Sequence, residues 1–128
     1  MPFFARQYAA YQRAQGERVN GRSTKHPERR ISLMLDIQPA SSGDYERASV
    51  ISGGRRFVSM KKAFADLSAP RLKAAGEDGN PGSIVEAEGR RWLVLGLQVR
   101  DSLPGMPTNG VRYLLVSEAE HAPNEVMA

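Results

Sequence analysis

The chain has 128 residues, 41% of them apolar, a net charge of +4 and no cysteine. This length suits one domain with one modest core. The lack of cysteine excludes disulfides, thiolate metal sites and thiol nucleophiles within these residues. No apolar run approaches the roughly 18 residues of a membrane span, and the opening stretch lacks the apolar segment of a secretory signal. We therefore expect a soluble protein that is not exported and does not contact a membrane.

The basic excess lies at the beginning of the chain. Residues 1–30 carry seven basic and two acidic residues, whereas the rest of the chain carries 11 basic and 12 acidic ones. A basic segment on a near-neutral body is typical of contact with nucleic acid or with an acidic partner. The alternative is a solvated leader without a ligand. The candidate contact residues are Arg18, Arg22, Lys25, Arg29 and Arg30.

Residues 2–16, PFFARQYAAYQRAQG, carry aromatic residues at a helical spacing. Phe4, Tyr8 and Tyr11 are three or four residues apart and alternate with alanines, which predicts a short amphipathic helix that ends near Gly16. Its aromatic stripe needs a cover, which is either an adjacent chain or the protein's own sheet. The residues predicted to form this contact are Phe3, Phe4, Tyr8 and Tyr11.

Residues 16–30, GERVNGRSTKHPERR, have many charges and almost no apolar side chain. Such a segment cannot contribute to a core and is predicted to be an extended arm. Together, the helix and the arm form the first predicted unit, residues 1–30.

A strand is predicted where Ile31, Leu33, Leu35 and Ile37 alternate with Ser32, Met34 and Asp36. It should stop at Pro39, because proline cannot donate a hydrogen bond to a ladder. The following residues, SSGDYERA, predict a turn and a short helix with Asp44 as its cap.

The middle of the chain has weaker signals. Residues 55–64 predict a strand whose end, KKAFADL, could also begin a helix. Residues 66–82 predict a long loop with one helical turn at residues 71–75, because glycine and proline are frequent there. A second long loop is predicted at residues 101–110.

A β-hairpin is the clearest signal. Residues 84–88 and 91–99 are strand-like, and Gly89 between them can supply the positive φ of a tight turn. Both faces of the second strand are apolar. Trp92 and Val94 lie on one face and Leu93, Leu95, Leu97 and Val99 on the other, so each face needs a cover. The residues predicted to face a partner chain are Leu93, Leu95 and Leu97.

VRYLLVSE predicts the last strand, and residues 119–128 an acidic tail. Several short strands in meander order predict a mainly β protein, a small barrel or curled antiparallel sheet over residues 31–118 with the short helix outside it.

The search for catalytic chemistry finds no convincing set of residues. His26 and His121 lie in polar segments that cannot build a dry pocket. Glu86 and Glu88 share one side of a hairpin, where charges commonly serve solubility, and Asp101-Ser102 has no histidine partner. The glycine clusters SGGRR and GNPGS lack the spacing of a phosphate-binding loop. We predict no enzyme, no cofactor and no metal site.

Four segments occur in a recognisable order: IQPASSGDYERA, GGRRFVSMKKAFADL, GSIVEAEGRRWLVLGLQVRDSLPG and VRYLLV. This order, over about residues 30–117, is similar to that of the tailed-phage neck proteins of the head-completion or stopper type. Ser83 departs from the pattern, because an acidic residue is more usual there. The glycine-rich stretch 76–82 departs as well, because many relatives have a compact turn.

The resemblance implies a β-barrel subunit of a ring in the virion neck, made in the host cytoplasm. A hexamer is preferred over a dodecamer. Its partners would be the portal-side connector, a tail terminator or tail-tube protein, and packaged duplex DNA in the channel, contacted without sequence preference.

Two alternatives remain at this point. A tail terminator or another tail-tube ring component should show longer helices beside its sheet. A nucleic-acid-binding β-barrel from a different class should bind duplex DNA tightly as an isolated chain.

Overall fold

The computed structural model describes residues 5–13, 18–19, 22–23, 28–66, 68–77, 80–100 and 110–121, with the backbone alone at 18–19, 22–23, 100 and 120–121. The strands are β1 (Arg6–Arg13), β2 (Arg18–Val19), β3 (Arg22–Ser23), β4 (Glu28–Pro39), β5 (Met60–Asp66), β6 (Ile84–Ala87), β7 (Arg90–Arg100) and β8 (Gly110–Ser117). The helices are α1 (Ser42–Ile51) and α2 (Glu118–His121).

Six strands close into an antiparallel barrel in the order β1-β4-β5-β8-β7-β6. The chain crosses from β5 to β6 before it returns through β7 to β8, and β6 then pairs with β1 to complete the closure. The prediction of a mainly β, barrel-type fold is confirmed. β4 ends at Pro39 as predicted, although it begins at Glu28, three residues before the predicted start.

The predicted N-terminal helix is wrong. Residues 6–13 form β1, which pairs with β4 along its whole length and with β6 at residues 9–11. Tyr8 and Ala10 contact the barrel interior, whereas Tyr11 packs on the outside, so the segment follows a two-residue period. Hydrogen bonding to two neighbouring strands outweighs the weak helical preference of the alanines.

Side chains fill the barrel interior. Trp92 and Tyr113 are its largest buried members, and Trp92 donates from Nε1 to the carbonyl of Ala87 at 3.1 Å. The Tyr113 hydroxyl accepts a hydrogen bond from the backbone N–H of Leu72 at 3.0 Å. The other buried members of this cluster are Ala10, Leu33, Leu35, Ala63, Ala65, Leu72, Val85, Ala87, Val94, Val111 and Leu115.

The connection from β5 to β6 is tied to the barrel by its backbone. Ala75 donates to the carbonyl of Val94, and Val94 donates to that of Ser83, both at 2.9 Å. Gly82 packs so closely that a Cβ there would lie 2.8 Å from Leu93. The predicted helical turn at residues 71–75 is wrong, because Leu72 and Lys73 donate their N–H groups to the side chains of Tyr113 and Ser83 instead.

The predicted hairpin is confirmed as β6 and β7, joined by Glu88 and Gly89. Both turn residues have positive φ, 55° and 71°, which matches a two-residue turn of the type that suits the twist of paired strands. The strand predicted at residues 55–64 begins later, at Met60, and its end continues as strand and not as helix.

Candidate interaction surfaces

Helix α1 covers one side of the barrel. Its inner residue Ala48 packs with Phe57 on an outward-facing cluster of the sheet. The sheet residues of that cluster are Met60, Ile84, Leu93, Leu95, Leu114 and Val116. Leu93 and Leu95 are 1% and 4% exposed, so the chain itself covers two of the three residues predicted to face a partner.

Leu97 lies on the other side of β7. The ladder between β7 and β8 shifts register between Val94 and Gly96, where Leu95 is the extra residue of a β-bulge. A bulge reverses the alternation of the side chains that follow it. Leu97 therefore packs with the barrel interior, and the predicted grouping of Leu97 with Leu93 and Leu95 is wrong.

The N-terminus of α1 is anchored by a buried carboxylate. Ser41 is the N-cap, and its hydroxyl accepts from the N–H of Asp44 while the Asp44 carboxylate accepts from the N–H of Ser41 at 2.8 Å. Asp44 also pairs with Arg112 of β8. The prediction of Asp44 as the cap is wrong by three residues, because it fills the third position of a capping box.

The pKa of Asp44 lies below its usual value. Burial alone would raise the pKa, but the hydrogen bonds from the backbone and hydroxyl of Ser41 outweigh it, and the charge of Arg112 adds to them. Asp44 is thus a charged anchor that joins α1 to the barrel.

The C-terminal end of α1 and the loop after it present apolar side chains to solvent. Val50 and Val58 are 81% and 83% exposed, and Ile51 is 44% exposed, with its terminal methyl close to Gly96 of the bulge. Arg55 lies over the ring of Phe57 at 5.3 Å, and Arg56 is exposed beside it. We call Val50 and Ile51 the apolar end of α1, and the exposed Val58 lies in the loop after it, where its carbonyl accepts from the Tyr45 hydroxyl at 3.2 Å.

The outer face of β1 and β4 differs from the face under α1. Small or polar residues line most of it, with Ala9 opposite Ser32, and Gln7 lies opposite the apolar Met34. A shallow groove of about 560 Å³ lies over this pair of strands. Met34 is 51% exposed there.

The residues predicted as aromatic anchors do not form a single stripe in the structure. Phe3 and Phe4 lie outside the described residues. Tyr8 packs against the barrel interior of its own chain. Tyr11 donates its hydroxyl hydrogen to Glu86 at 2.8 Å, which raises the pKa of Tyr11, and its ring lies under Arg91 at 5.2 Å.

Arg91 joins three elements on this outer surface. It pairs with Glu28 of β4 at 2.6 Å and with Glu118 of α2 at 2.9 Å, and these hydrogen bonds raise its pKa. Arg13 reaches Glu118 at 3.7 Å and donates to the carbonyl of Gly82 at 2.7 Å. This arrangement serves to hold strands together.

The predicted basic contact residues lie on or beside the connection between β1 and β4. Arg29 and Arg30 are exposed on β4. Arg18 belongs to β2 and Arg22 to β3, and Lys25 lies outside the described residues. In the described part of the predicted extended arm, β2 and β3 pair with each other.

The two glutamates of the hairpin do not form a site together. Glu86 accepts from Tyr11, whereas Glu88 pairs with Lys61 at 3.3 Å. Across the described residues, no group of three or more acidic or histidine side chains could hold a metal ion. His26, Asp101 and Ser102 lie outside the described residues, and only the backbone of His121 is described.

Neither described helix is long and apolar enough to cross a membrane. Comparison with protein-family models and with curated proteins found no match. The described surface presents apolar side chains at one end of α1 and cationic ones on β4.

Proposed function

We propose that this chain is a structural protein of the tailed-phage neck, of the head-completion or stopper type. It would join the portal-side connector to the tail and help to retain and pass the packaged DNA. The observation that supports this best is the distribution of apolar side chains. The barrel interior is filled by its own residues, while the apolar end of α1 stays exposed.

The apolar end of α1 fits a role in a ring. A ring of identical subunits needs two different surfaces that complement each other, because each subunit contacts its neighbours head to tail. Exposed apolar side chains close in sequence to arginines are compatible with such an interface, because its centre is apolar and arginine is enriched in it. The sequence order over residues 30–117 adds independent support.

In this proposal the partners are further copies of the chain, the portal-side connector and a tail terminator or tail-tube protein. A hexamer is the ring size we favour. Packaged duplex DNA would pass through the ring and be contacted without sequence preference, in the neck of the virion.

Deletion of the gene in its phage tests this proposal. We expect heads that are filled with DNA but lose it and carry no tail. A plasmid copy should restore infectious particles, whereas Val50→Asp combined with Val58→Asp should not. The matched control is Met34→Asp with Ser42→Asp, two exposed positions outside the apolar end of α1, which should restore them. Infectious tailed particles without the protein would refute the proposal.

A tail terminator or tail-tube ring component is the nearest alternative. Electron microscopy of separated heads and tails, with the chain labelled, decides between the two. Label on DNA-filled heads without tails supports the neck position, and label on tails without heads supports the alternative.

A free-standing nucleic-acid-binding barrel is the alternative from another class. The exposure of Arg29 and Arg30 favours it. Nanomolar binding of duplex DNA by the isolated chain, together with its absence from particles, would support this alternative and refute the neck role.

A further inference from the structure

Within the connection between β1 and β4, β2 and β3 pair in the same register as β1 and β4 do. β1 and β4 pair from Arg6 with Leu35 to Arg13 with Glu28, and the two residue numbers of each pair total 41. β2 and β3 pair Arg18 with Ser23 and Val19 with Arg22, which gives the same total. The two stretches between the ladders, 14–17 and 24–27, are also equally long.

Asn20 and Gly21 are the two residues between β2 and β3 in the sequence. Asn-Gly is the preferred sequence for a two-residue β-hairpin turn, because both positions need positive φ. β2 and β3 form a sheet of two strands, apart from the barrel sheet. We call β2, β3 and the beginning of β4, Glu28 to Arg30, the basic ribbon.

The sequence of the basic ribbon has an excess of positive charge. Its basic residues are Arg18, Arg22, Arg29 and Arg30. Its single acidic residue, Glu28, pairs with Arg91 of β7 at 2.6 Å. Glu28 therefore has its counter-charge on the barrel and not in the ribbon. Arg29 and Arg30 are exposed where the ribbon meets the barrel.

The composition of the ribbon favours DNA over a protein partner. Protein interfaces usually have a buried centre of large apolar or aromatic residues, and Val19 is the single apolar residue among residues 18–30. Phosphate groups, in contrast, require only cationic side chains within reach. A two-stranded ribbon also has the width that the major groove of duplex DNA admits.

We propose that the basic ribbon contacts the phosphate groups of duplex DNA without sequence preference. This inference rests on the proposed function for its setting, in which every copy in a ring presents one ribbon to the DNA. Each contact is weak by itself, and several copies act together through their high effective concentration.

The test measures binding of the isolated full-length chain to a fluorescent duplex by anisotropy at several salt concentrations. The wild type should bind with a Kd on the order of 1–100 μM near physiological salt, as non-specific binders do. Removal of four ribbon charges should weaken binding at least tenfold. It should also reduce the salt slope by about 0.9 per lost phosphate contact. The ribbon variant combines Arg18→Gln, Arg22→Gln, Arg29→Gln and Arg30→Gln.

A matched control removes the same charge elsewhere on the barrel. It combines Arg47→Gln, Arg56→Gln, Arg71→Gln and Arg90→Gln, and it should stay within about threefold of the wild type because these residues lie outside the ribbon. Equal losses in both variants, or no binding by the wild type at low salt, would overturn the proposal. Competition by poly-glutamate as strong as that by unlabelled duplex would also overturn it, in favour of an acidic protein partner.

A shortened chain gives a second test that does not depend on the arginine substitutions. Residues 14–27 are replaced by Asn-Gly, so that Arg13 and Glu28, which are already partners, flank a two-residue turn. This variant should fold with unchanged circular dichroism and lose DNA binding as the ribbon variant does. A folded, shortened chain that still binds DNA would refute the inference.

These assays contain no phage component. A negative result therefore refutes the proposed DNA contact alone. The neck role is tested separately by the deletion experiment. Conversely, a viable deletion phage leaves the binding result intact.

Discussion

The outer surface of the barrel differs between two groups of strands, one covered by other parts of the chain and one exposed. On β5, β7 and β8 an outward cluster of large apolar side chains is buried by α1, the loop after it and the β5–β6 connection. On β1 and β4 the outward residues Ala9, Ser32 and Gln7 are small or polar, Met34 is exposed, and neither described helix lies above them. Outward apolar residues are thus abundant where the chain supplies its own cover, so the choice of outer residues on each strand follows from what lies above it.

The largest expected difference between the two groups of strands comes from truncation of one apolar side chain in each. Leu114→Ala should lower the free energy of unfolding by about 3 kcal/mol, because it leaves a cavity between α1 and the sheet. Met34→Ala on the exposed group should stay within about 0.5 kcal/mol. Urea unfolding of both variants measures this. Equal losses would mean that α1 does not seal the covered group.

The next effect concerns the anchor of α1. Asp44→Asn should cost about 2 kcal/mol, because the carboxylate accepts charge-assisted hydrogen bonds and pairs with Arg112. Glu46→Gln, on the exposed side of the same helix, is the matched control and should change the unfolding free energy by less than about 0.5 kcal/mol.

The same anchor predicts a pH dependence. The pKa of Asp44 is lower in the folded chain than in the unfolded chain, so the unfolded state binds more protons between the two values. The stabilisation is present above the unfolded value of about 3.9 and is lost as the pH falls through the folded pKa. The urea midpoint of the wild type should therefore fall on acidification more than that of Asp44→Asn. Parallel curves would contradict the assignment.

A smaller effect separates neighbouring residues at the end of α1. Ile51→Ala should cost about 1 kcal/mol, because its terminal methyl contacts the bulge of β7 at Gly96. Val50→Ala should be neutral within about 0.5 kcal/mol, since its side chain is exposed. Thermal unfolding of the pair checks which residue faces the barrel. A neutral Ile51→Ala would show that the apolar end of α1 is entirely available for partners.

The smallest effect should come from the ionic contacts on the side of β1 and β4. Arg91→Gln should cost about 1 kcal/mol or less, because the pairs with Glu28 and Glu118 are partly exposed to solvent. The loss should shrink when the salt concentration is raised, and Arg56→Gln should show neither change. A loss that is independent of salt would indicate packing by the Arg91 side chain instead.

The parts of the fold that local sequence determines were predictable. Gly89 between two strand-like stretches indicated the β6–β7 hairpin, and the alternation that ends at Pro39 indicated β4. The two-residue signal Asn20-Gly21 was equally visible. The density of charge around it led to the prediction of an arm instead.

The features of the fold that were not predicted depend on contacts between residues that are distant along the chain. β1 has alanines and aromatic residues at a helical spacing, and its pairing with β4 and β6 decides its conformation. The bulge at Leu95 moves Leu97 to the interior, although the sequence alternates without interruption. The pairing of Asp44 with Arg112 likewise joins residues whose relation no local pattern shows.

The segment between β4 and β5, which contains α1, leaves and re-enters the barrel at the same place, because Pro39 and Lys61 are direct cross-strand partners. Residues 40–59 should therefore be exchangeable as a unit without disturbing strand order. A replacement that lacks an apolar underside would leave Leu95 and Leu114 exposed to water. Variation between related chains should thus appear as exchanges of the whole unit matched to the residues beneath, and a chimaera that moves the unit alone should be insoluble.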